Sequence, residues 1–285
     1  MVEPVGAQAK RRSTLDALPP LPAVALRVMQ VAQDPASSAS DLALVISSDP
    51  GLSARILRIV NSAAYRRSER EVTSVQEALV VLGFVQARNV AISSAITSAY
   101  APDSRNALFR IGTFWRHSLA VAFRAAEIAA NSRKLAVPSA FTAGILHNMG
   151  RLAMFHADPA GMDQAVALAI AEGLTLEEAE EQSLEYSHAE LGGALAMRWR
   201  LPAEIVTAIA RHHAVDPTEV SLAGVVAQAD TFCQAHSILP GYVVPLPEGE
   251  EAAPPSDEMA RILKQVDGLM ELVMGDHSVG ASTAA

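Results

Sequence analysis

A single cysteine, Cys233, stands in a chain of 285 residues, which excludes an intramolecular disulfide framework and fits a reducing compartment. A buried helical thiol is the plain reading of that residue type. Positive charge is in deficit: 22 Lys and Arg against 31 Asp and Glu leave a net charge of -9. The chain as a whole is therefore repelled by phosphate backbones, and any nucleic-acid surface would have to be a local patch. Long hydrophobic runs are missing. Residues 78–85 form an apolar stretch far short of the roughly 20 residues that span a bilayer. Lys10, Arg11 and Arg12 lead into the proline-rich segment 18–22, not into an apolar signal core. A cytoplasmic protein with no membrane segment is expected, and no repeat of fixed period is visible.

Aromatic residues are also few, at 5%, although half of the chain is apolar. Abundant alanine and apolar residues three and four apart favour packed helices over sheets, so the expected fold is all-α. Residues 1–14 lack periodicity and read as a flexible tail. A helix over 23–33 should stop at Asp34-Pro35, and Ser40 is placed to cap a helix beginning at Asp41. Asp49-Pro50 combines a capping carboxylate with proline at the first helical position. Ser74 with Glu77, Thr175 with Glu178, and Ser187 with Glu190 have the spacing of capping boxes. Gly83 ends or bends a helix. Further helices are expected over 85–100, 113–131, 138–155, 161–172, from Pro202 to the His212-His213 pair, and over 221–236. The division is a main domain over 15–236, split near 107 and 108, then a proline-rich linker over 237–256. A closing helix over 257–275 and a tail over 276–285 follow. In the closing helix Met259, Ile262, Leu263, Val266, Leu269, Met270 and Val273 line one face, fit to pack back or to pair with a second copy as a homodimer.

Six of the eight histidines fall between 117 and 213: His117, His147, His156, His188, His212 and His213. Neutral imidazole is a common transition-metal ligand and a carboxylate such as Asp230 completes such sites. The spacings run to tens of residues, and no short motif fixes two histidines on one helix face. Each has a plain alternative. His117, among Trp115, Leu119 and Phe123, reads as a hydrogen-bonded core histidine. His188, following Ser187 in a first helical turn, reads as a neutral ligand or a structural residue. His212 and His213 at a helix C-terminus would be favoured as cations by about 0.3–1 kcal/mol.

Several phrases in order along the chain are similar to the HDOD domain, the HD-related output domain. They are LPPLPAVALRVM over 18–29, SDPGLSARILRIVNSAAY over 48–65 and ALVVLGFVQARNV over 78–90. FWRHSLA over 114–120, FTAGILHNMG over 141–150, HAELGGAL over 188–195 and WRLPAEIVTAIARHH over 199–213 continue the series. The resemblance implies an N-terminal helical bundle packed on an HD-like helical subdomain. It also implies a centre descended from the HD phosphohydrolases, which hold one or two divalent metals. By position it makes His117 the first ligand, His147-Asn148 the HD dipeptide, His188, His212 and His213 further ligands, and Asp230 the closing carboxylate. The departure is Asn148, where the pattern has aspartate. A neutral amide oxygen is a poorer ligand than a carboxylate and offsets no cationic charge, and it weakens the acidification of bound water.

The reading that follows is a non-catalytic signalling or scaffold protein. It would bind regulatory protein partners, and with them a small ligand, in the cleft between its two halves. No catalytic residue is assigned and no cofactor is expected, with room left for a divalent metal at the residual ligands. The alternative is a metal-dependent phosphohydrolase acting on a nucleotide or cyclic dinucleotide. The third reading, nucleic-acid or partner binding through Arg55, Arg58, Arg66, Arg67, Arg70 and Arg88, is disfavoured by the overall negative charge.

Overall fold

The structure is a computed structural model that describes residues 5–62, 65, 70–100, 108–132, 134–244 and 254–274, with the side chains of 5–10 and 272–274 outside the description. All regular structure among these residues is α-helical, as expected. The helices are α1 (Val5–Ala17), α2 (Ala23–Gln33), α3 (Ala39–Ser47), α4 (Pro50–Val60), α5 (Val75–Leu82), α6 (Phe84–Ala99), α7 (Ile111–Ser132) and α8 (Val137–Leu146). After them come α9 (Met149–Ala157), α10 (Pro159–Glu172), α11 (Leu176–Leu184), α12 (His188–Arg198), α13 (Ala203–Arg211), α14 (Leu222–Ala235) and α15 (Asp257–Met274). The chain divides into two compact units, one of residues 1–20 and 103–260, the other of residues 21–102 and 261–285. The first therefore reclaims residues 15–20, and the second takes most of the closing helix, a division that sequence order hides.

In the second unit α2 to α6 bury Val28, Leu42, Ile46, Leu52, Ile56 and Ile59 completely, each large side chain contributing about 1.5–3 kcal/mol of hydrophobic stabilisation. Asp49 caps α4 through the Leu52 amide at 2.7 Å, with Pro50 opening the helix. The α3 cap is Ser38, not Ser40. Its hydroxyl accepts from the Asp41 amide, and the Asp41 carboxylate accepts from the Ser38 amide. That reciprocal box needs an acid three residues on, and from Ser40 the third residue is Ala43. Asn61 clamps the loop beyond α4, donating to the Val72 carbonyl and accepting from its amide. Gly83 takes φ 77, ψ 159, open only to a residue without Cβ, and α5 and α6 meet there at a bend of 117°. No single helix among the described residues is long and apolar enough to cross a membrane.

In the first unit α7 packs against α8 and α14, α12 against α9 and α13, and α10 against α11. From residue 5 onward the expected tail is instead helix α1, which packs on α9 and α12; residues 1–4 lie outside the described ones. Thr14 is buried and its hydroxyl hydrogen-bonds the Tyr186 phenol at 2.8 Å, while Arg198 pairs with Asp16 at 2.6 Å. The single helix expected over 138–155 is broken at His147-Asn148 into α8 and α9. Within the expected linker, Ile238 and Tyr242 are buried, while residues 245–253 lie outside the described ones, as does the tail over 276–285. The Thr175–Glu178 capping box is complete. At Ser74 and Ser187 only the serine side of the box forms, each hydroxyl accepting the amide three residues on. On α15 Met259, Ile262, Val266, Leu269 and Met270 are buried and Leu263 is half-buried, so that stripe is covered within the chain; the Val273 side chain lies outside the description. Cys233 is buried on α14, where burial pushes its thiol up.

Candidate metal centre

The centre is assembled from five helix ends or faces of the first unit. His117 comes from the middle of α7, His147 from the end of α8, His188 from the first position of α12, His212 and His213 from the end of α13, and Asp230 from α14. The two histidines at helix ends use one device. His147 Nδ1 bonds the Gly144 carbonyl at 2.7 Å, and His212 Nδ1 bonds the Ile209 carbonyl at 2.8 Å. Each ring thus binds a carbonyl left over at a helix C-terminus, which fixes the ring. The Gly144 carbonyl is the one that a continuing helix would offer the Asn148 amide, and α8 ends where the Asn148 backbone departs from helical values, at φ -98, ψ 11.

These contacts decide the tautomers. A carbonyl only accepts, so Nδ1 of His117 (to Ile238 O, 2.6 Å), His147 and His212 carries a proton. Nδ1 of His188 likewise donates to Glu180 Oε2 at 2.6 Å, and His213 Nδ1 lies 3.3 Å from Glu177 Oε2. In the rings of His147, His188, His212 and His213, which burial favours as neutral, Nε2 is then a lone pair, whereas His117 Nε2 hydrogen-bonds the Asp230 carboxylate. These lone pairs face one another. His188 Nε2 lies 3.3 Å from His212 Nε2 and 3.2 Å from His213 Nε2. His117 Nε2 lies 3.4 Å from His147 Nε2 and 3.1 Å from Asp230 Oδ1, and His147 Nε2 lies 3.9 Å from Asp230 Oδ1.

Acceptors opposed at such distances repel unless a cation or a proton lies among them. Nitrogen and oxygen ligands at roughly 2.1 Å around a tetrahedral ion would stand about 3.4 Å apart, close to these separations. The described residues therefore offer two preformed triads, His117–His147–Asp230 and His188–His212–His213, and both fit a divalent metal. The carbonyls and carboxylates behind the rings hold them in the ligating orientation. An ion held there would polarise a phosphoester oxygen and acidify water.

Protonation states agree. Burial drives His147 and His188 well below the usual histidine range; Asp230 opposes the shift at His147, and Arg151 reinforces it at His188. Burial takes His212 down to about 4, and with the neighbouring His212 and His188 takes His213 to about 2. Burial thus works against the helix-dipole reading of this pair as cations, whose favourable contribution is under about 1 kcal/mol. Burial works to raise the Asp230 carboxyl, but the hydrogen bond and charge of His117, with His147 and His212, hold it well below the carboxylate range. Gln234 Nε2 donates to both Asp230 oxygens at 2.9 Å.

Asn148 is fully buried, and its carbonyl oxygen, the one good ligand atom it offers, accepts from Arg151 Nη1 at 2.9 Å. Arg151 Nε in turn donates to Glu180 Oε1 at 2.6 Å, and Glu180 Oε2 accepts from both the amide and the ring of His188. Sequence reasoning missed Arg151, Glu180, Glu177 and Gln234. Glu180 stands in the acidic run of α11, which reads as solvated, yet Leu176, Ala179, Glu180 and Leu184 share the buried face; that helical phase was the available signal. His156 is exposed and stands outside both triads.

A cavity of about 360 Å³ opens beside the centre, lined by Arg151, Leu176, Glu177, His213, Asp230 and Gln234 among others. Burial raises Glu177 to about 7, partly opposed by Arg151. All of its lining belongs to the first unit. Arg88 is 2% exposed and holds Asn89 Oδ1 with Nε and Nη2, Arg70 pairs with Glu77 at 3.5 Å, and Arg66 and Arg67 lie outside the described residues. Arg58 is exposed and Arg55 half-buried.

A model of the HDOD domain matches residues 18–215. Among solved structures, an HDOD domain protein of unknown function from Geobacter sulfurreducens is 26% identical, with a TM-score of 0.68 over 97% of this chain and 90% of that one. A protein from Shewanella amazonensis, provisionally named a phosphohydrolase, is 28% identical, with a TM-score of 0.63 over 93% and 92% of the two chains. A Marinobacter aquaeolei protein, provisionally named a signal transduction protein, shares the fold at 20% identity and a TM-score of 0.71, over 94% of this chain and 65% of that one. An uncharacterized Treponema pallidum protein is 25% identical over 70% of this chain, which spans 38% of that protein's length.

Proposed function

The chain belongs to the HDOD domain family, and from that premise we propose that it is a signalling module that acts by binding a regulatory protein partner, without turning over a phosphoester. The observation that carries the reading is the engagement of Asn148. Where a bridging carboxylate would face the metals, a neutral amide has its oxygen committed to a buried guanidinium, and its Nδ2 finds no hydrogen-bond partner among the described residues. A donor at that position repels a cation and withholds the anionic charge that makes a water nucleophilic near neutral pH. The triads that remain serve as a ligand-holding core that ties α7, α8, α12, α13 and α14 together.

The second reading, a metal-dependent phosphohydrolase, is favoured by one observation. Both triads are preformed beside a cavity that Asp230, His213 and Arg151 line. Two measurements separate the readings. Partner capture from the native cell, controlled with a chain carrying surface substitutions, should recover a specific protein, and metal-loaded protein should leave phosphodiesters intact. Capture at background level together with turnover that His117→Ala abolishes would replace the first reading by the second.

A further inference from the structure

Two triads of ligand atoms suggest two ions, but their charges are unequal. The first triad includes the Asp230 carboxylate as a ligand. The second is three imidazoles, and the carboxylates near it, Glu180 and Glu177, address the far ring nitrogens Nδ1 of His188 and His213. Glu180 is neutralised as well, by Arg151 at 2.6 Å. One buried hydrogen-bonded chain runs from Asn148 through Arg151 and Glu180 to His188, and so joins the segment of the first triad to the second.

Neighbouring dications repel, and two-metal sites depend on anionic ligands shared between them. In this centre the residue next to His147 is neutral and its oxygen is taken, and a permanent positive charge, 2% exposed, already lies in the network. Asp230 and Glu180 carry one negative charge each, Glu177 only part of one because burial raises it to about 7, and Arg151 one positive, which leaves between one and two net negative charges to set against incoming cations.

We propose that Arg151 stands in for a second metal charge, so that the centre takes one divalent cation per chain, on His117, His147 and Asp230. The inference rests on the reading of the centre as a ligand-holding core, but it concerns ion number, not turnover. It makes Arg151 a positioning residue that fixes Asn148 and Glu180 and excludes a second ion from His188, His212 and His213.

Manganese is the probe, with stoichiometry read by equilibrium dialysis and coupling by electron paramagnetic resonance on the full chain. The wild-type protein should bind about one ion at saturation with the six-line signal of an isolated ion, and Asp230→Asn should cut binding at least about tenfold. The double variant Asn148→Asp/Arg151→Gln, which restores a carboxylate and frees Glu180, should bind twice as many ions as wild type, with a spin-coupled signal. Two ions or none in the wild-type chain, undiminished binding by Asp230→Asn, or a folded double variant that stays at one ion would overturn the proposal. Should the double variant not fold, the wild-type and Asp230→Asn counts still decide. Two ions without turnover would refute this inference and leave the proposed function standing; one ion with turnover would do the reverse.

Discussion

Glu180→Gln tests the buried network by changing one atom. Glu180 is 0% exposed and receives three bonds: Arg151 Nε on Oε1 at 2.6 Å, and the His188 amide and ring Nδ1 on Oε2 at 3.0 and 2.6 Å. An amide of the same shape has one acceptor oxygen, so whichever way it turns its NH2 group faces a donor. A pair of unit charges about 4 Å apart at an effective dielectric of 20 interacts by about 4 kcal/mol, and breaking a buried pair on one side costs about 3–5 kcal/mol. Both routes give a loss near 4 kcal/mol, a large part of the about 5–15 kcal/mol that a domain possesses. Urea unfolding of metal-free protein followed by circular dichroism reads it as a lower midpoint. Adding Arg151→Met should return part of the loss, because the unpaired guanidinium goes with it. A Glu180→Gln loss below about 1 kcal/mol would refute the network as described.

Two further outcomes follow from the same geometry. Gly150→Ala would set a Cβ 2.0 Å from the His188 carbonyl oxygen and 2.9 Å from the Gly192 amide nitrogen. Helix α12 would have to move off α9, with a loss of about 3 kcal/mol that the better helix propensity of alanine does not cancel; a thermal midpoint within a degree of wild type would contradict the close approach. Acid should also destabilise the metal-free chain. His212 is buried and titrates near 4 when folded, against about 6.5 unfolded. Its folded value is depressed, so the unfolded state takes up protons first as pH falls below 6.5. That histidine alone removes about 2 kcal/mol by pH 5 and about 3 kcal/mol by pH 4. His147 and His188 act in the same direction. Urea midpoints equal at pH 7.5 and pH 5 would sink this assignment.

Local signals were legible where one residue type does one job. Asp49-Pro50 and Thr175 with Glu178 mark their helix starts, and the apolar stripe of α15 is buried as its spacing indicates. What stayed hidden depends on contacts distant in sequence. Helix α1 has no apolar period of its own and is held by Thr14 on Tyr186 and Arg198 on Asp16, more than 170 residues apart. The break between α8 and α9 falls at His147-Asn148, where the imidazole is turned onto the Gly144 carbonyl, which no propensity scale records. The ligand set of His117, His147, His188, His212, His213 and Asp230 was legible through family resemblance, whereas its division into two triads was not. Nor was the fate of Asn148 visible. Loss of a carboxylate can be read from one letter, but the capture of the Asn148 oxygen by Arg151, itself held by Glu180, requires the fold.

If the centre holds ligands without hydrolysing phosphoesters, saturation with metal brings no turnover. Full-length protein loaded with manganese, offered bis(p-nitrophenyl) phosphate and cyclic dinucleotides near neutral pH, should release product at the rate of the His117→Ala variant. Release well above that variant, abolished again by Asp230→Asn, would make the centre a working hydrolase instead.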